Sequence, residues 1–461
     1  MLLTFKFFKF YVESPPPSPS PSRGEGREGV ISFGCGYTAL CSLWLDFENA
    51  TNEKGGTMST APWRSDNYWT SPYNHVPEVR NTLSLPSKVI LHDATLRDGE
   101  QTPGIVLRKE DKIEIAILLD KFGIERIEAG MPAVASEDAE AIREISRLKL
   151  KAKIFAFARA TVGDIELAKE VGADGVVIEV PIGQPKLEYQ FRWTWRDVLD
   201  KSLGSIKRAR ELGLTAVFFP YDTTRSKPED LENLLKGVMN EAPPDSIGVV
   251  DTMGCTLPQG IAYLVQWVRK LTGLPVEIHT HNDFGLGVAN SLMAVTAGAT
   301  VIHGCINGIG ERTGNAALEE VALGLKVLYQ LDVPYKFDML PELSQCVRMR
   351  TGFPLAPNKP VVGERIFTRE SGIGVDMVKK YPLSMFSLDP RFIGQNPSVV
   401  LGKKSGKLSV QQKLEDLGLG QLSSDRVEAV VSQIKQMGIA RRGLISDDEF
   451  KTLVGQARAG K

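Results

Sequence analysis

The chain has 461 residues, 42% of them hydrophobic and 24% charged, with a formal net charge of -1 at pH 7. That composition suits a globular protein with one large core and a smaller second unit, and it gives no footing for nucleic acid or an anionic membrane as partner. The five cysteines, Cys35, Cys41, Cys255, Cys305 and Cys346, form no CxxC or paired spacing. They point away from a disulfide framework or a zinc–thiolate site and toward a reducing, cytoplasmic setting.

Residues 1–57 carry a Pro/Ser run from Ser14 to Ser22 and then Arg/Gly/Glu-rich sequence, which cannot bury enough apolar surface to order itself. The reading is a disordered, non-native leader with Met58 as the true start. Codons for Lys54-Gly55-Gly56 can spell a bacterial ribosome-binding sequence just upstream of it. Residues 58–87, rich in Trp, Tyr, Asn and Pro without periodicity, are expected to form a lead-in segment.

From there a strand–helix alternation begins. Strands are expected at Val89–Leu91, Arg126–Gly130, Lys153–Ala158, Gly175–Val180, Thr215–Pro220, Ile247–Val250, Val276–His281 and Val301–Ile306. Between and after them, helices are expected at Lys109–Phe122, Ser136–Leu148, Val162–Val171, Trp195–Leu212, Pro228–Glu241, Pro258–Leu271, Leu286–Ala297 and Ala316–Tyr329. Ser136, followed by acidic residues, opens the second helix, and Gly172, Gly213, Gly273 and Gly298 stop four others. Eight such units close most simply as a TIM (β/α)8 barrel over 88–338. A doubly wound open sheet is the competitor, but no GxGxxG turn follows the first strand. Residues 339–461 read as a mostly helical accessory or lid region, with helices at Leu340–Thr351, Leu408–Leu417, Asp425–Met437 and Asp447–Ala457.

In a barrel, chemistry sits at the carboxyl ends of the strands. Alternation along the seventh strand puts His279 and His281 on one face, a metal-ligand arrangement. The first strand ends in His92-Asp93-Ala94-Thr95-Leu96-Arg97-Asp98-Gly99-Glu100-Gln101, a run of ionisable groups that is costly near a core unless paired or metal-bound. Asp98 is the expected carboxylate ligand. Arg97, always protonated, suits a developing enolate oxygen, and Gln101 is assigned to substrate. Thr252, after the sixth strand, can bind a substrate carboxylate. After the eighth strand, Asn307-Gly308-Ile309-Gly310-Glu311-Arg312-Thr313-Gly314-Asn315 allows close backbone approach. Asn315 can add an amide oxygen to the metal, Glu311 is assigned a catalytic role, and Glu311 with Arg312 can orient neighbours. A two-His, one-carboxylate set also occurs in iron oxygenases, but nothing else in the sequence supports one.

Three of these stretches in order, Leu96-Arg97-Asp98-Gly99-Glu100-Gln101, His279-Thr280-His281-Asn282-Asp283 and Gly308-Ile309-Gly310-Glu311-Arg312-Thr313-Gly314-Asn315, resemble the 2-isopropylmalate, homocitrate and citramalate synthase family. That family shares its barrel with 3-hydroxy-3-methylglutaryl-CoA lyase. The resemblance implies a divalent metal held by Asp98, His279, His281 and Asn315, with Mg²⁺ or Mn²⁺ favoured and Zn²⁺ admitted by the imidazoles. It implies a 2-oxo acid with its keto oxygen near Arg97 and its carboxylate near Thr252, an acyl-CoA as second substrate, and a homodimer.

The chain also departs from the family. A His-x-x-Gly-Ile-His pattern that serves acetyl-CoA deprotonation matches Arg369-Glu370-Ser371-Gly372-Ile373-Gly374, with both histidines replaced. Glu370, Asp376 and Tyr381 are the candidates to stand in. Tyr221 stands where many members have Glu, and Pro181 to Lys186 lacks the usual Ser/His residues. Residues 408–461 are too short and too helical for a leucine-binding regulatory domain. A Claisen-type acyltransferase is therefore the leading reading. A carbon–carbon lyase or aldolase is the alternative, because Gly374 carries no proton. A non-catalytic binder is third.

Overall fold

The structure is a computed structural model that describes residues 61–460. The leader expected over 1–57, and Met58, lie outside the described residues.

Eight parallel strands close into a barrel in chain order. They are β1 (Ile90–Asp93), β2 (Arg126–Glu128), β3 (Lys153–Arg159), β4 (Gly175–Pro181), β5 (Thr215–Tyr221), β6 (Ser246–Asp251), β7 (Val276–Thr280) and β8 (Val301–Gly304). Closure is the pairing of β1 with β8, Ile90 opposite Val301 and Asp93 opposite Gly304. The outer helices are α1 (Lys109–Phe122), α2 (Ser136–Arg147), α3 (Val162–Glu170), α4 (Trp195–Glu211), α5 (Pro228–Glu241), α6 (Pro258–Thr272), α7 (Gly287–Thr296) and α8 (Leu318–Val327). Among the described residues no helix is long and apolar enough to cross a membrane.

Period-two alternation sorts the strand residues into two layers. Phe155, Phe157, Val177, Val217, Phe219 and Val250 face one another inside the barrel. Their neighbours Ile154, Ala156, Val176, Ile178, Ala216 and Phe218 face outward into the layer shared with the helices.

Local chemistry explains the helix ends. Asp111 accepts from the Arg108 backbone N–H at 3.1 Å to open α1, and Gly123, at φ 115°, closes it. Two strand ends differ from expectation. β1 starts at Ile90 and runs on through His92 and Asp93, because His92 is paired with Glu128 inside the barrel and Asp93 with Thr95. β7 stops at Thr280, and His281 continues as an isolated bridge to Asn315. The N-cap of α2 is Ala135, with no side-chain cap bond, so Ser136 is the first helical residue and not the cap.

Beyond the barrel, α9 (Leu340–Thr351) lies against α1 through Arg350, which pairs with Asp111 and Glu114. Two short parallel strands follow, β9 (Thr368–Arg369) and β10 (Ser398–Val399), which the sequence reading did not foresee. The last helices, α10 (Lys407–Asp416), α11 (Ser424–Arg441) and α12 (Asp447–Ala459), share their own core of Val410, Leu414, Val430, Ile434, Phe450 and Leu453. The apolar faces of α9 and α11 are thus covered within the chain: Leu340, Leu343 and Val347 are buried in the main core, and Val427, Val430 and Ile434 in the small one.

Candidate metal centre and active site

The site is built at the carboxyl ends of β1, β7 and β8. β7 delivers His279, and the extended residue just past it delivers His281 on the same side. Their Nε2 atoms lie 3.2 Å apart. Gly254, at φ 51°, presses on this segment; a Cβ there would sit 2.7 Å from the His281 carbonyl oxygen. Asp98 arrives from the turn after β1, with its Oδ2 3.6 Å from His279 Nε2. The three residues are 2 to 4% exposed, and their donor atoms lie within 4.8 Å of one another.

The electrostatics suit a cation. Burial pushes His279 well below the usual imidazole value and lowers His281 as well, so both are neutral near pH 7. Burial alone would raise Asp98, but the Arg97 guanidinium and the two imidazoles outweigh it and hold the carboxyl below its usual range. Two neutral imidazoles facing each other through Nε2 share at most one hydrogen bond, and a divalent ion between them and Asp98 would satisfy both. Asn315 Nδ2 donates to Asp98 Oδ1 at 2.8 Å and to the Ile309 carbonyl at 3.2 Å, which leaves its Oδ1 buried without a partner. The donor set and this orphaned oxygen fit a divalent metal.

Arg97 is fixed beside the centre. Its Nε donates to Glu128, its Nη1 donates to Asp98 Oδ2 at 2.8 Å, and its guanidinium lies 3.8 Å over the Phe157 ring. Its Nη2 is buried with no partner among the described residues. Gln101 Oε1 is 3.4 Å from Arg97 Nη1, and the residue is otherwise exposed. Thr252 is partly open; its hydroxyl accepts from the Asp222 N–H at 2.7 Å. Glu311 is exposed and pairs with Arg312 at 3.0 Å. Arg312 in turn clamps Asp283 at 2.9 Å and the Thr252 carbonyl. Arg97, Asp98, Gln101, His279, His281 and Asn315 therefore converge, while Thr252 and Glu311 meet them only through the Arg312 clamp.

Below this layer lies a floor that sequence reasoning missed. His92 Nε2 contacts Glu128 Oε2 at 3.0 Å, and His303 Nε2 contacts Glu277 Oε2 at 2.7 Å. The two rings stack at 4.0 Å and 12°. Glu277 also accepts from Arg126 at 2.8 Å and from Ser246 at 2.6 Å. His92, Glu128, Glu277 and His303 are all fully buried. The legible signal was a charged residue in the middle of each buried strand, which demands a partner. The two Nδ1 atoms of this floor are also unpartnered. His92, Glu277 and His303 also bring one donor atom each to within 4.8 Å of one another, but their Nε2 atoms are already matched by Glu128 and Glu277.

The floor makes stability depend on pH. Burial, with His303 beside it, pushes His92 down to about 4. Its folded value lies below its unfolded value, so the unfolded chain takes up the proton first. The stabilisation from neutral His92 is complete above about pH 6.5 and lost as pH falls toward 4, about 3 kcal/mol in all. Asp93 and Glu319, pushed up to about 7 by burial, act in the opposite direction. A variant comparison isolates the His92 share. Urea unfolding between about pH 7 and pH 4.5, with chelator present, is expected to lose less stability on acidification in His92→Gln, which keeps a donor for Glu128. Equal losses in the two proteins would contradict this.

Comparison with known proteins places the chain. Residues 88–347 match the HMGL-like family model, and residues 361–442 match the model described as homocitrate synthase post-HMGL domain-like. The chain is 40% identical over 384 residues to homocitrate synthase AksA of Methanopyrus kandleri, covering 83% of this chain and 96% of that protein. It is 38% identical over 366 residues to 2-isopropylmalate synthase of Methanocaldococcus jannaschii (79% and 70% covered) and 37% over 369 residues to its (R)-citramalate synthase CimA (79% and 74%). Hydroxymethylglutaryl-CoA lyase from Pseudomonas aeruginosa shares the fold, with a TM-score of 0.52, 20% identity and 59% and 95% of the two chains covered. The chain belongs to the HMGL-like family, on the branch of the homocitrate, isopropylmalate and citramalate synthases.

Proposed function

We propose that this protein is a divalent-metal-dependent Claisen-type acyltransferase that joins acetyl-CoA to a 2-oxo acid. The observation that carries the reading is a buried two-His, one-Asp cluster beside an arginine whose Nη2 has no partner among the described residues. In the reaction, the acetyl methyl loses a proton and its carbon bonds to the keto carbon. The keto oxygen takes up a proton and becomes a hydroxyl. Water then cleaves the thioester, releasing CoA as thiol and leaving a second carboxylate.

Asp98, His279 and His281 would hold the ion, with Asn315 bracing Asp98 or ligating through its Oδ1. When bound, the ion supplies Lewis acidity to the 2-oxo acid. Arg97 Nη2 stabilises negative charge growing on the keto oxygen, and Gln101 flanks it. Thr252 receives the substrate carboxylate. Glu311 acts at the rim, through Arg312 on the loop that carries Asp283. Thiol release from acetyl-CoA across a panel of 2-oxo acids, with and without Mg²⁺ or Mn²⁺, tests the proposal; no metal-dependent release with any acid overturns it.

The lyase reading keeps one specific support. Gly374 sits at φ 70°, where a Cβ would lie 2.9 Å from the tip of Met385. Glu370 Oε1 is occupied by the Lys404 N–H at 2.9 Å, and the Tyr381 hydroxyl by Arg64 at 2.9 Å. Gly374→His is expected to raise thiol release if acetyl-CoA chemistry is only impaired, since a positioned acid or base contributes about 10²–10⁴-fold. The left-handed backbone will cost the variant about 1–2 kcal/mol of stability. If the variant changes nothing while the wild type cleaves a hydroxy acid without CoA, the lyase reading replaces the first.

The homodimer is proposed as the unit that brings a second accessory region to each site; the apolar faces of α9 and α11, which were expected to need a partner's cover, are covered within the chain and lend it no support. Sedimentation velocity at about micromolar protein is expected to show a dimer; a monomer alone contradicts it.

A further inference from the structure

Glu179 is a carboxyl that the proposed reaction does not use and the fold does not satisfy. On β4 it shares the inward register of Val177 and lies opposite Phe219 of β5 and Arg159 of β3. It is the one partly exposed residue of a strand otherwise buried from Gly175 to Pro181. Among the described residues its side chain has no hydrogen-bond or ion-pair partner.

Neither cation beside it pairs with it, although Arg97 Nη2 is itself without a partner among the described residues. Arg159 turns away to Asp164, with contacts of 2.8 and 2.9 Å. Arg97 gives its Nε to Glu128 and its Nη1 to Asp98. The other charged groups that act on Glu179 are the carboxylates of Asp98, Glu128 and Glu311, all repulsive. Tyr221 lies close enough for Glu179 to help raise its phenol. Burial above all, with those carboxylates, pushes Glu179 up to about 7 against the pull of Arg97. Its strand neighbours Phe219 and Val177 belong to the apolar cluster inside the barrel, against which Met131 and Tyr221 also pack.

A carboxyl in an apolar wall at the mouth of a site, with no partner in its own chain, is costly unless a ligand group meets it. A second carboxylate on the ligand would meet like charge. An alkyl side chain would leave the carboxyl unpaired and desolvated. A hydroxyl satisfies it, whether the carboxyl is ionised or protonated.

We infer that Glu179 selects the 2-oxo acid, favouring a short side chain that bears a hydroxyl and refusing one that ends in a second carboxylate. The inference rests on the condensation reading for its substrate class, and on the position of Glu179 for its selectivity.

The test uses the metal-loaded, full-length protein and its Glu179→Leu and Glu179→Gln variants. The probes are hydroxypyruvate and 4-hydroxy-2-oxobutanoate, their methyl isosteres 2-oxobutanoate and 2-oxopentanoate, and the dicarboxylates oxaloacetate and 2-oxoglutarate. Thiol release from acetyl-CoA gives kcat/KM, and calorimetric titration of each acid without CoA gives binding. The wild type is expected to favour a hydroxylated acid over its isostere by about tenfold or more. Glu179→Leu should reverse that order. Glu179→Gln should keep it while gaining on the dicarboxylates. The same order in all three proteins, or a wild-type preference for a dicarboxylate, overturns the inference. Selective binding without thiol release refutes the condensation and leaves Glu179 as the selector. Failure to bind any of the six acids refutes both.

Discussion

Arg97→Ala is expected to abolish measurable turnover on any 2-oxo acid or its condensation product. Removing one preorganised donor from a developing oxyanion typically costs about 10²–10³-fold, and here the donor also carries a full positive charge beside Asp98. The change does more than delete Nη2. It strips Glu128 and Asp98 of their shared cation, and truncating one partner of a buried pair costs about 3–5 kcal/mol. A thermal melt must therefore accompany the thiol-release assay. Arg97→Lys separates the two effects: one ammonium cannot hold Glu128, Asp98 and the substrate at once. That variant should melt closer to the wild type yet lose most of kcat. Full activity in a folded Arg97→Ala protein would remove the arginine from the mechanism.

The second large effect is expected at the metal centre. An Asp98→Ala, His281→Ala double variant should lose divalent-ion binding by well over about a hundredfold, since even residues that merely orient ligands are worth about 10–100-fold. Elemental analysis and metal titration measure this directly. Stability offers an independent readout: an ion that binds the folded form alone raises the melting temperature, so a chelator should lower it in the wild type and leave the variant unmoved. Undiminished affinity in the double variant would eliminate the proposed site.

The barrel was legible because its helices announce themselves. Lys109–Phe122 and Pro228–Glu241 run between the residues the sequence reading gave them. The upper part of the site was legible for a different reason. Arg97, Asp98, His279 and His281 lie at strand ends, where the fold itself says chemistry belongs. The floor was hidden because His92, Glu128, Glu277 and His303 belong to four different strands, and their pairing exists only once the barrel closes. Glu179 was passed over inside a run read simply as a strand. The π-turn at Lys186–Phe191 has no periodic signal of its own. Asn315 was assigned from its amide oxygen; the structure engages its amide nitrogen with Asp98 and Ile309 and leaves that oxygen without a partner among the described residues, an orientation that no sequence reveals.

The pairing of β9 with β10 has a consequence for how such a protein can change. Ser398 lies opposite Thr368 and Val399 opposite Arg369, so the chain leaves the accessory region at residue 370 and returns to the same place at 397. The residues between are held by that clasp and by further ties: Leu388 bridges Tyr68, and Ile393 is buried in the main core with Phe386 and Phe392 packed against it. Doubling the length of a flexible loop costs only about 0.6 kcal/mol of closure entropy. A change of length or residue near Gly374, between the clasp and those ties, is therefore expected to leave the barrel register alone, whereas one at Leu388 or Ile393 is not. Arg369 and Gly374 thus stand on a part of the chain separate from Asp98, His279 and His281, so a substitution in one set need not move the other.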